Sequence, residues 1–441
     1  MKPNILIFFT DQQRWDTAGC YGNPMGLTPT LDAMAARGTL FEYAFTCQPV
    51  CGPARACLQT GIYATKTGVF RNAIPMDKDE KTIAHYLKEA GYDTAYTGKW
   101  HLSEVQGNPI PQKLRSGYDY FAAVDGVKFT TDPYGGYVWS GDNQKMYYHN
   151  YRADGFTDFA LDYLDTRKET AKEKPFFLMH SILEPHHSVK TNTHDAPTGY
   201  AERYSENYFV PGDLKGLDTG DYKENLPAYY GMVKSCDENL ERVIEKLKEI
   251  GQFENTVIIF ATDHGSHFKT RGDEYKRSCH ESSIRIPLVI SGPGFDTGKT
   301  VTELVSLIDI PETVLDIAGI NLDSAPQMQG RSVFPLISGE EGSWPQDVFV
   351  QISESQVARA IRTKRWKFSI RAWDKHGWHD MDSEVYNDDA LFDLDADPYE
   401  LNNLVNEPGF ENVRIELRER LSKRMVEAGE SAPEILDSRK F

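Results

Sequence analysis

Cysteine, proline and arginine stand in a C-x-P-x-R pattern at Cys51, Pro53 and Arg55. Pro53 suits the first turn of a helix, and Gly61 suits its end. The pattern therefore places Cys51 near a helix N-terminus, where unpaired amides and the helix dipole favour an anion. Two interpretations follow for Cys51, a half-buried structural thiol or a reactive centre, whereas we expect Cys57 inside the same helix to be structural.

Polar side chains follow four predicted strands at the points where those strands end. They are Asp11 and Gln12 after "NILIFFT", Lys99 and His101 after "DTAYTG", His186 and His187 after "FFLMHSILEP", and Asp263 and His264 after "VIIFAT". In an open α/β sheet, ligands bind beyond the carboxyl ends of the strands. We therefore expect these groups to meet at one site.

A metal ion is the first chemistry that these residues predict. Asp11, Gln12, Asp263 and His264 form an oxygen-rich set with one nitrogen. Such a set suits a hard divalent cation such as Ca²⁺ or Mg²⁺ better than a metal that seeks thiolates. An isolated Asp-His pair is more often a helix cap or a loop ion pair, so the prediction depends on its pairing with Asp11.

Positive charge and proton transfer are the second chemistry. Arg55, Lys99, His101, His186 and Lys276 would supply both in an otherwise acidic protein. Each has an ordinary alternative, since lysines are usually solvated and histidines often stabilise loops. Their common predicted location is what favours a functional role.

Composition limits the partners. The chain of 441 residues has 48 Lys+Arg against 66 Asp+Glu, a net charge of −18, so it predicts no nucleic-acid or membrane partner. The opening "MKPNILIFFTDQQ" reads as a buried strand rather than a targeting segment. The six cysteines form no CxxC pair, and together these features predict reduced thiols and a cytoplasmic location.

The elements that must position these residues alternate between short apolar runs and helical patterns. This predicts an α/β fold with a large mixed, mostly parallel sheet sandwiched by helices over 1–340. Near residue 340 the sequence pattern changes from alternating strands and helices to strand-like runs followed by one helix. This predicts a small C-terminal α+β domain over 341–441, with antiparallel strands and a terminal helix from about Glu411. Two irregular stretches, 104–160 and 187–226, are the predicted walls of a pocket.

The ordered motifs resemble the formylglycine-dependent sulfatases of the alkaline phosphatase superfamily nearly end to end. They are "CGPARACLQTG", "GYDTAYTGKWHL", "EPHH", "FATDHG", "KRSCHESSIRIPLVI" and "ALFDLDADPYELNNL". The resemblance implies an alkaline phosphatase-like fold and a sulfuric ester hydrolase that acts on a small carbohydrate or aryl sulfate. It also implies that a formylglycine-generating or sulfatase-maturating enzyme oxidises Cys51 to formylglycine, whose hydrated aldehyde attacks sulfur.

The resemblance also implies a role for each matching residue. Asp11, Gln12, Asp263, His264 and the modified Cys51 would bind the metal, Ca²⁺ or else Mg²⁺ or Mn²⁺. Arg55 and Lys99 would stabilise the formylglycine. His101 would assist sulfate elimination. Lys276 and His186 would bind sulfate and protonate the leaving alcohol.

Two residues depart from the family pattern. Gln12 stands where many relatives have aspartate, which removes one negative charge from the metal site, and Ala54 stands where serine is frequent. Hydrolysis of phosphonate monoesters or phosphodiesters is an alternative function, and a domain that binds sulfated ligands with Cys51 unconverted is another. Candidate substrate contacts are His187, Arg277, His280 and the tyrosine-rich stretch 134–151. The oligomeric state stays open.

Overall fold

A computed structural model describes residues 2–170, 174–339 and 343–438. In these ranges, eleven strands form a mixed sheet in the order β11-β2-β10-β8-β1-β7-β3-β4-β5-β6, with β9 paired to β2. The strands are β1 (Asn4–Thr10), β2 (Thr39–Phe45), β3 (Asp93–Lys99), β4 (Tyr120–Val124), β5 (Tyr134–Ser140), β6 (Lys145–Tyr151), β7 (Phe176–Ser181), β8 (Thr256–Thr262), β9 (Arg285–Ile286), β10 (Val289–Ser291) and β11 (Lys299–Ser306).

The centre of this sheet is parallel. β1 pairs in parallel with both β7 and β8, and β3 pairs in parallel with β7 and β4. The edges are antiparallel at β4-β5-β6 and around β10. The predicted α/β fold with a large mixed sheet is confirmed.

Helices cover both faces of the sheet. They are α1 (Pro29–Arg37), α2 (Cys51–Thr60), α3 (Ala64–Thr67), α4 (Ile83–Glu89), α5 (Val127–Thr130), α6 (Arg152–Asp165), α7 (Arg167–Thr170), α8 (Tyr200–Arg203), α9 (Gly212–Leu217), α10 (Tyr222–Glu249), α11 (Glu281–Ile284), α12 (Asp309–Ile317), α13 (Phe334–Ser338) and α14 (Glu411–Glu427). None of those in the described ranges is long and apolar enough to cross a membrane.

The alternation of side chains along β1 explains why both faces are covered. Ile5, Ile7 and Phe9 pack in one core with residues of α2, α4 and α12, while Leu6 and Phe8 pack in another with α1, α6 and α10. Successive residues of a strand point to opposite faces, so a strand apolar at every position must be buried on both.

A second sheet follows in the C-terminal part. It has the order β12 (Asp347–Ile352), β13 (Val357–Thr363), β14 (Trp366–Ala372), β15 (Val385–Asp393) and β16 (Glu434–Leu436), antiparallel except for β15-β16. α14 packs on one face, and the other shares a core with Phe45 and Leu304 of the first sheet. The domain boundary predicted near residue 340 falls on 340–342, outside the described residues, and stays a prediction.

Two predictions about local structure are wrong. The stretch 104–160 is largely regular, because it holds β4, β5, β6 and the start of α6. The run "QVARAIRTKRWKFSI" at 356–370 reads from its apolar pattern as a single strand, but it contains two, β13 and β14. The stretch 187–226 is mostly irregular, as expected, apart from α8, α9 and the start of α10.

Candidate active site

The pairing of β1 with β8 brings two carboxylates together. Thr10 lies opposite Thr262 in the parallel register, so Asp11 and Asp263 leave the sheet side by side. Asp263 Oδ1 accepts hydrogen bonds from the backbone amides of Gln12, at 3.0 Å, and His264, at 2.9 Å. These two hydrogen bonds fix Oδ1 of Asp263 and leave Oδ2 available to bind a ligand.

Four buried ligand groups lie within 4.8 Å of one another, on Asp11, Cys51, Asp263 and His264. Asp263 Oδ2 is buried and has no hydrogen-bond donor among the described residues. His264 Nδ1 lies 2.9 Å from the Gly265 carbonyl, to which it donates, and this leaves the Nε2 lone pair for the site. The donor set can hold a metal ion.

Gln12 lies beside this group. Its backbone has a φ of 63°, a left-handed conformation that a non-glycine residue seldom adopts. Its Nε2 donates to Ser266 Oγ at 3.2 Å, which orients the amide, and the side chain lines the cavity described below.

Helix α2 delivers Cys51 to the same point. Cys51 is its first residue, the whole helix is buried, and Gly61 ends it in the left-handed conformation with φ 70°. Cys51 Sγ lies 2.8 Å from Lys276 Nζ, 3.2 Å from His264 Nε2 and 3.6 Å from Asp11 Oδ1. The predicted helix and its predicted end at Gly61 are confirmed.

Arg55, one turn along α2, is buried against Asp11. Its guanidinium lies 2.8 Å from Asp11 Oδ2, and Lys99 Nζ lies 2.6 Å from the same oxygen. A second guanidinium nitrogen donates to Ser181 Oγ at 2.7 Å and to the Lys99 carbonyl at 3.1 Å. Two cations therefore hold Asp11, whereas among the described residues the Arg55 guanidinium, at 3.6 Å, is the one lysine or arginine group within 4 Å of Asp263.

Because Asp11 has more cationic neighbours than Asp263, the pKa values of the two carboxyl groups differ. Burial and the Cys51 charge oppose ionisation of Asp11, but Lys99 and its other cationic neighbours hold its pKa well below the usual range. Burial and the charge of Asp11 raise the pKa of Asp263 to about 7. Burial also opposes ionisation of the Cys51 thiol, yet Lys276 and Lys99 hold its pKa well below the usual value. The site favours an anion at position 51, and a further cation beside Asp263 would stabilise the ionised form of that carboxyl.

Lys276 and His186 approach Cys51 from the open side. Lys276 Nζ lies 3.2 Å from His186 Nε2, and His186 Nδ1 lies 2.5 Å from the His187 carbonyl. Since a carbonyl accepts, the His186 proton resides on Nδ1, and its Nε2 accepts from the lysine. His101 has a φ of 62°, and its Nδ1 is buried without a partner among the described residues.

A cavity of about 480 Å³ opens over these groups. Its lining includes Gln12, Cys51, Lys99, His101, His186 and Lys276, with residues from both predicted wall segments, among them Glu104, Phe129 and Arg152 from one and His187 and Lys190 from the other. The ten predicted site residues thus lie in one place, although Arg55, Asp11, Asp263 and His264 are beneath the cavity rather than on its surface.

Two of the four candidate substrate contacts line the cavity, and two do not. His187 and Arg277 line the cavity, and the His187 ring stacks on Tyr275 with centroids 4.2 Å apart. The interpretation of His280 is wrong, because its ring packs 5.4 Å from Phe392 of the second sheet and does not line the cavity. The tyrosines of 134–151 do not line it either, since they lie on the β5-β6 hairpin.

Several residues of the site escaped sequence reasoning. Asn72 Oδ1 accepts from the Gly52 amide at 2.9 Å, so it pairs an amide in the first turn of α2. Arg152 Nε donates to Glu184 Oε1 at 2.9 Å, and this buried pair supports the cavity wall. Asn72 carries no sequence signal, whereas Glu184, directly before the Pro-His-His segment, was a visible candidate.

The second sheet fixes the loop that carries Lys276. Lys367, fully buried on β14, lies 2.8 Å from Glu281 Oε1 and 2.5 Å from Glu400 Oε1. Glu400 Oε2 accepts from the Glu281 amide at 2.7 Å, and its carbonyl accepts from Arg271 at 2.8 Å. The 271–281 loop is therefore tied at both ends to the C-terminal part.

Comparison with known proteins agrees with this site. The sulfatase family model matches residues 3–320, and the model for the C-terminal part of N-sulphoglucosamine sulphohydrolase matches residues 272–427. The chain therefore belongs to the sulfatase family and is a sulfuric ester hydrolase.

Individual relatives cover nearly the whole chain. An ulvan-active sulfatase of Formosa agariphila is 30% identical over 97% of this chain and 82% of its own length. An N-acetylglucosamine-6-O-sulfatase of Bacteroides thetaiotaomicron is 25% identical over 98% of this chain and 88% of its own.

Solved structures share the fold, which is the predicted alkaline phosphatase-like one. A sulfatase structure from work on glycosaminoglycan metabolism by Bacteroides thetaiotaomicron superposes with a TM-score of 0.83 at 25% identity, covering 98% of this chain and 97% of that one. The phosphonate monoester hydrolase of Agrobacterium radiobacter superposes with a TM-score of 0.72 at 22% identity, covering 97% and 96%.

Proposed function

We propose that this sulfatase releases sulfate from a small sulfated carbohydrate, with an aryl sulfate as the alternative substrate. The observation that carries this proposal is the position of Cys51 Sγ, in the lining of the cavity and 2.8 Å from Lys276 Nζ. A thiol that serves only packing faces apolar groups, whereas this one faces an ammonium and an imidazole. The carbohydrate is supported by a relative named as an N-acetylglucosamine sulfatase.

Conversion of Cys51 to formylglycine is part of the proposal. A formylglycine-generating or sulfatase-maturating enzyme would carry it out, and the C-x-P-x-R pattern supports this partner. The hydrated aldehyde would supply the hydroxyl nucleophile that attacks sulfur. The other five cysteines are free thiols, in keeping with the cytoplasmic location predicted from the sequence.

A divalent cation, Ca²⁺ or else Mg²⁺ or Mn²⁺, fits the residues present. Asp11, Gln12, Asp263 and His264 would hold it, and the unpaired Asp263 Oδ2 is the atom that most needs it. When bound, the cation would stabilise negative charge on the sulfuryl oxygens as a Lewis acid. Because Gln12 contributes no charge, we expect weaker cation binding than two aspartates would give at this position.

The chain's own cations would bind the sulfuryl group. Lys276 Nζ lies where a sulfate oxygen bound near Cys51 would accept a hydrogen bond, and Lys99 supplies a second positive charge. Arg55 would act through Asp11, which it holds in place. Such preorganised donors lower the barrier because charge builds on oxygen as the ester bond breaks.

Two histidines would move the protons. Lys276 donates to His186 Nε2, so this pair can pass a proton to the departing alcohol oxygen, and the ammonium regains it from water. His101, which lines the cavity and hydrogen-bonds with Cys51, would accept the proton released when sulfate is eliminated.

The test is a direct comparison of substrate classes. The protein, co-expressed with a maturation enzyme, should hydrolyse 4-nitrophenyl sulfate with kcat/KM orders of magnitude above that for an aryl phosphonate monoester. The shared fold of the phosphonate monoester hydrolase makes the second substrate the proper comparison. A preference for the phosphonate would contradict the proposal, as would full sulfatase activity in Cys51→Ala.

A further inference from the structure

A second cavity, of about 660 Å³, adjoins the catalytic one. The two share the side chains of Glu274, Lys276 and Arg277 in their linings, so this segment is a ridge between them. Across the ridge, the wall comes from the second sheet and its loops, through residues 354–356, Arg371 and Trp378. A molecule bound over Lys276 can therefore extend into the second cavity without leaving the surface.

The ridge itself is held firmly. Arg277 has a φ of 70°, and its guanidinium forms ion pairs with both Glu274 and Glu354. Its carbonyl accepts from Ser355 Oγ at 2.8 Å. The boundary between the cavities is thus fixed by contacts with the C-terminal part and needs no ligand to form.

Charged side chains of both signs line the second cavity, and one of its cations, Arg371, forms no ion pair with a carboxylate of the lining. Its lining carries four cations against three carboxylates, in a chain whose net charge is −18. Arg277 is paired with glutamates, Lys276 faces Cys51, and the guanidinium of Arg271 donates to the backbone carbonyls of residues 399 and 400. No ion pair in the described ranges involves Arg371, although its charge opposes the rise that burial causes in the pKa of Asp389. The Arg371 guanidinium lies over the Trp373 ring, 3.9 Å from the centroid.

Trp378 supplies an apolar surface in the same cavity. It is 38% exposed, which is unusual for a tryptophan, and the Arg71 guanidinium lies 4.8 Å from its ring centroid. A tryptophan with one face covered and its remainder open to a polar cavity is suited to stacking against the C–H face of a sugar ring. The combination of this ring with a guanidinium that forms no ion pair in the described part of the chain is the chemistry that recognises an acidic sugar.

From these contacts we infer that the second cavity is a subsite for the neighbouring sugar of the substrate, an acidic one such as a uronate. The inference rests on the proposed function, since the sulfated sugar occupies the catalytic cavity. Trp378 stacks on the second ring, and Arg371 pairs with its carboxylate. The enzyme therefore prefers a sulfated disaccharide to the corresponding monosaccharide.

Three sulfated substrates test the inference: a monosaccharide sulfate, the same unit extended by a neutral sugar, and the same unit extended by a uronate. Wild-type kcat/KM should rise along this series. Trp378→Ala should lower kcat/KM for both disaccharides about tenfold, and Arg371→Ala should do so for the uronate substrate alone. Neither change should affect hydrolysis of the monosaccharide sulfate or of 4-nitrophenyl sulfate.

Tyr147→Ala is the matched control, because Tyr147 is 59% exposed on the β5-β6 hairpin and lies outside both cavities. Calorimetry can measure the affinity of the uronate disaccharide for the inactive Cys51→Ala variant, with and without Arg371→Ala. This measurement tests the subsite independently of turnover. Binding without turnover in the matured wild type would count against the proposed function only. Equal affinity with and without Arg371, or an equal loss on all substrates, would overturn the subsite.

Discussion

Lys276 is the residue whose removal tests the electrostatics of the site most sharply. It is 6% exposed, and its Nζ lies 2.8 Å from Cys51 Sγ and 3.1 Å from His264 Nε2. Burial opposes its charge, but the negative charge on Cys51 and on the two aspartates raises its pKa, so it is an ammonium at neutral pH. It is a fixed positive charge at the point where sulfate must bind.

Lys276→Met should lower kcat about 10²–10³-fold, which corresponds to about 2.7–4 kcal/mol for one preorganised donor. Two unit charges about 4 Å apart in an effective dielectric of about 20 interact by about 4 kcal/mol, which sets the ceiling. KM should change less, because the interaction strengthens as charge builds in the transition state.

Steady-state kinetics with 4-nitrophenyl sulfate would measure this effect, on samples matched by mass spectrometry for conversion of Cys51 and by Tm for folding. Lys269→Met is the control, since Lys269 lies on the neighbouring stretch of chain, 2.9 Å from Asp221 and outside both cavities. A loss below tenfold in Lys276→Met, or a rise in KM alone, would refute the assigned role.

Three further changes have defined outcomes. Asp263→Asn should weaken cation binding at least tenfold and lower activity in parallel, as measured by metal titration of chelator-treated enzyme; unchanged metal dependence would remove Asp263 from the site. Lys367→Met removes the ammonium from buried Glu400, while Glu281 keeps Arg362 at 3.2 Å, and should cost about 3–5 kcal/mol in urea unfolding. The exposed Lys364→Met should cost almost nothing. Burial and Asp309 raise the pKa of Glu312 to about 7, so its ionised form is disfavoured in the folded state and stability should fall as pH rises from about 4.5 to 7. Glu312→Gln should therefore raise Tm more at pH 8 than at pH 5, and an equal change at both would contradict this linkage.

The site residues at strand ends were predictable from the sequence, because the carboxyl ends of parallel strands lie at the same edge of a sheet. Asp11, Lys99, His186 and Asp263 follow four strands that the apolar runs indicate, and the parallel pairing brings those ends together. Lys276 carries no strand-end signal, because it lies on an irregular loop whose position depends on contacts with Lys367 and Glu400 rather than on local pattern. The resemblance is what gave it a specific role.

Other elements gave no local signal. The turn between β13 and β14 passes through Lys364 and Arg365 with no glycine, proline or asparagine, so the two strands read as one run. α10 begins at Tyr222 although Pro227 interrupts its pattern. Pro227 cannot donate to the Lys223 carbonyl, and the Tyr208 hydroxyl, 3.4 Å away, donates to it instead.

The second cavity was even less predictable from the sequence, because it is formed by residues far apart in the chain. Arg371 and Trp378 lie about a hundred residues along the chain from the 274–277 ridge, and they meet it only because the second sheet packs on the first. No spacing in the sequence indicates that contact. Residues that choose the substrate were therefore less predictable than residues that carry out the reaction.

Cys51 is the proposed precursor of the nucleophile on which the whole reaction depends. The most direct measurement is mass spectrometry of the peptide that contains Cys51, from protein co-expressed with a maturation enzyme, combined with capture of the aldehyde by a hydrazide probe. We expect an aldehyde at position 51 and sulfatase activity in proportion to the converted fraction. An unmodified thiol in a fully active enzyme would contradict the account.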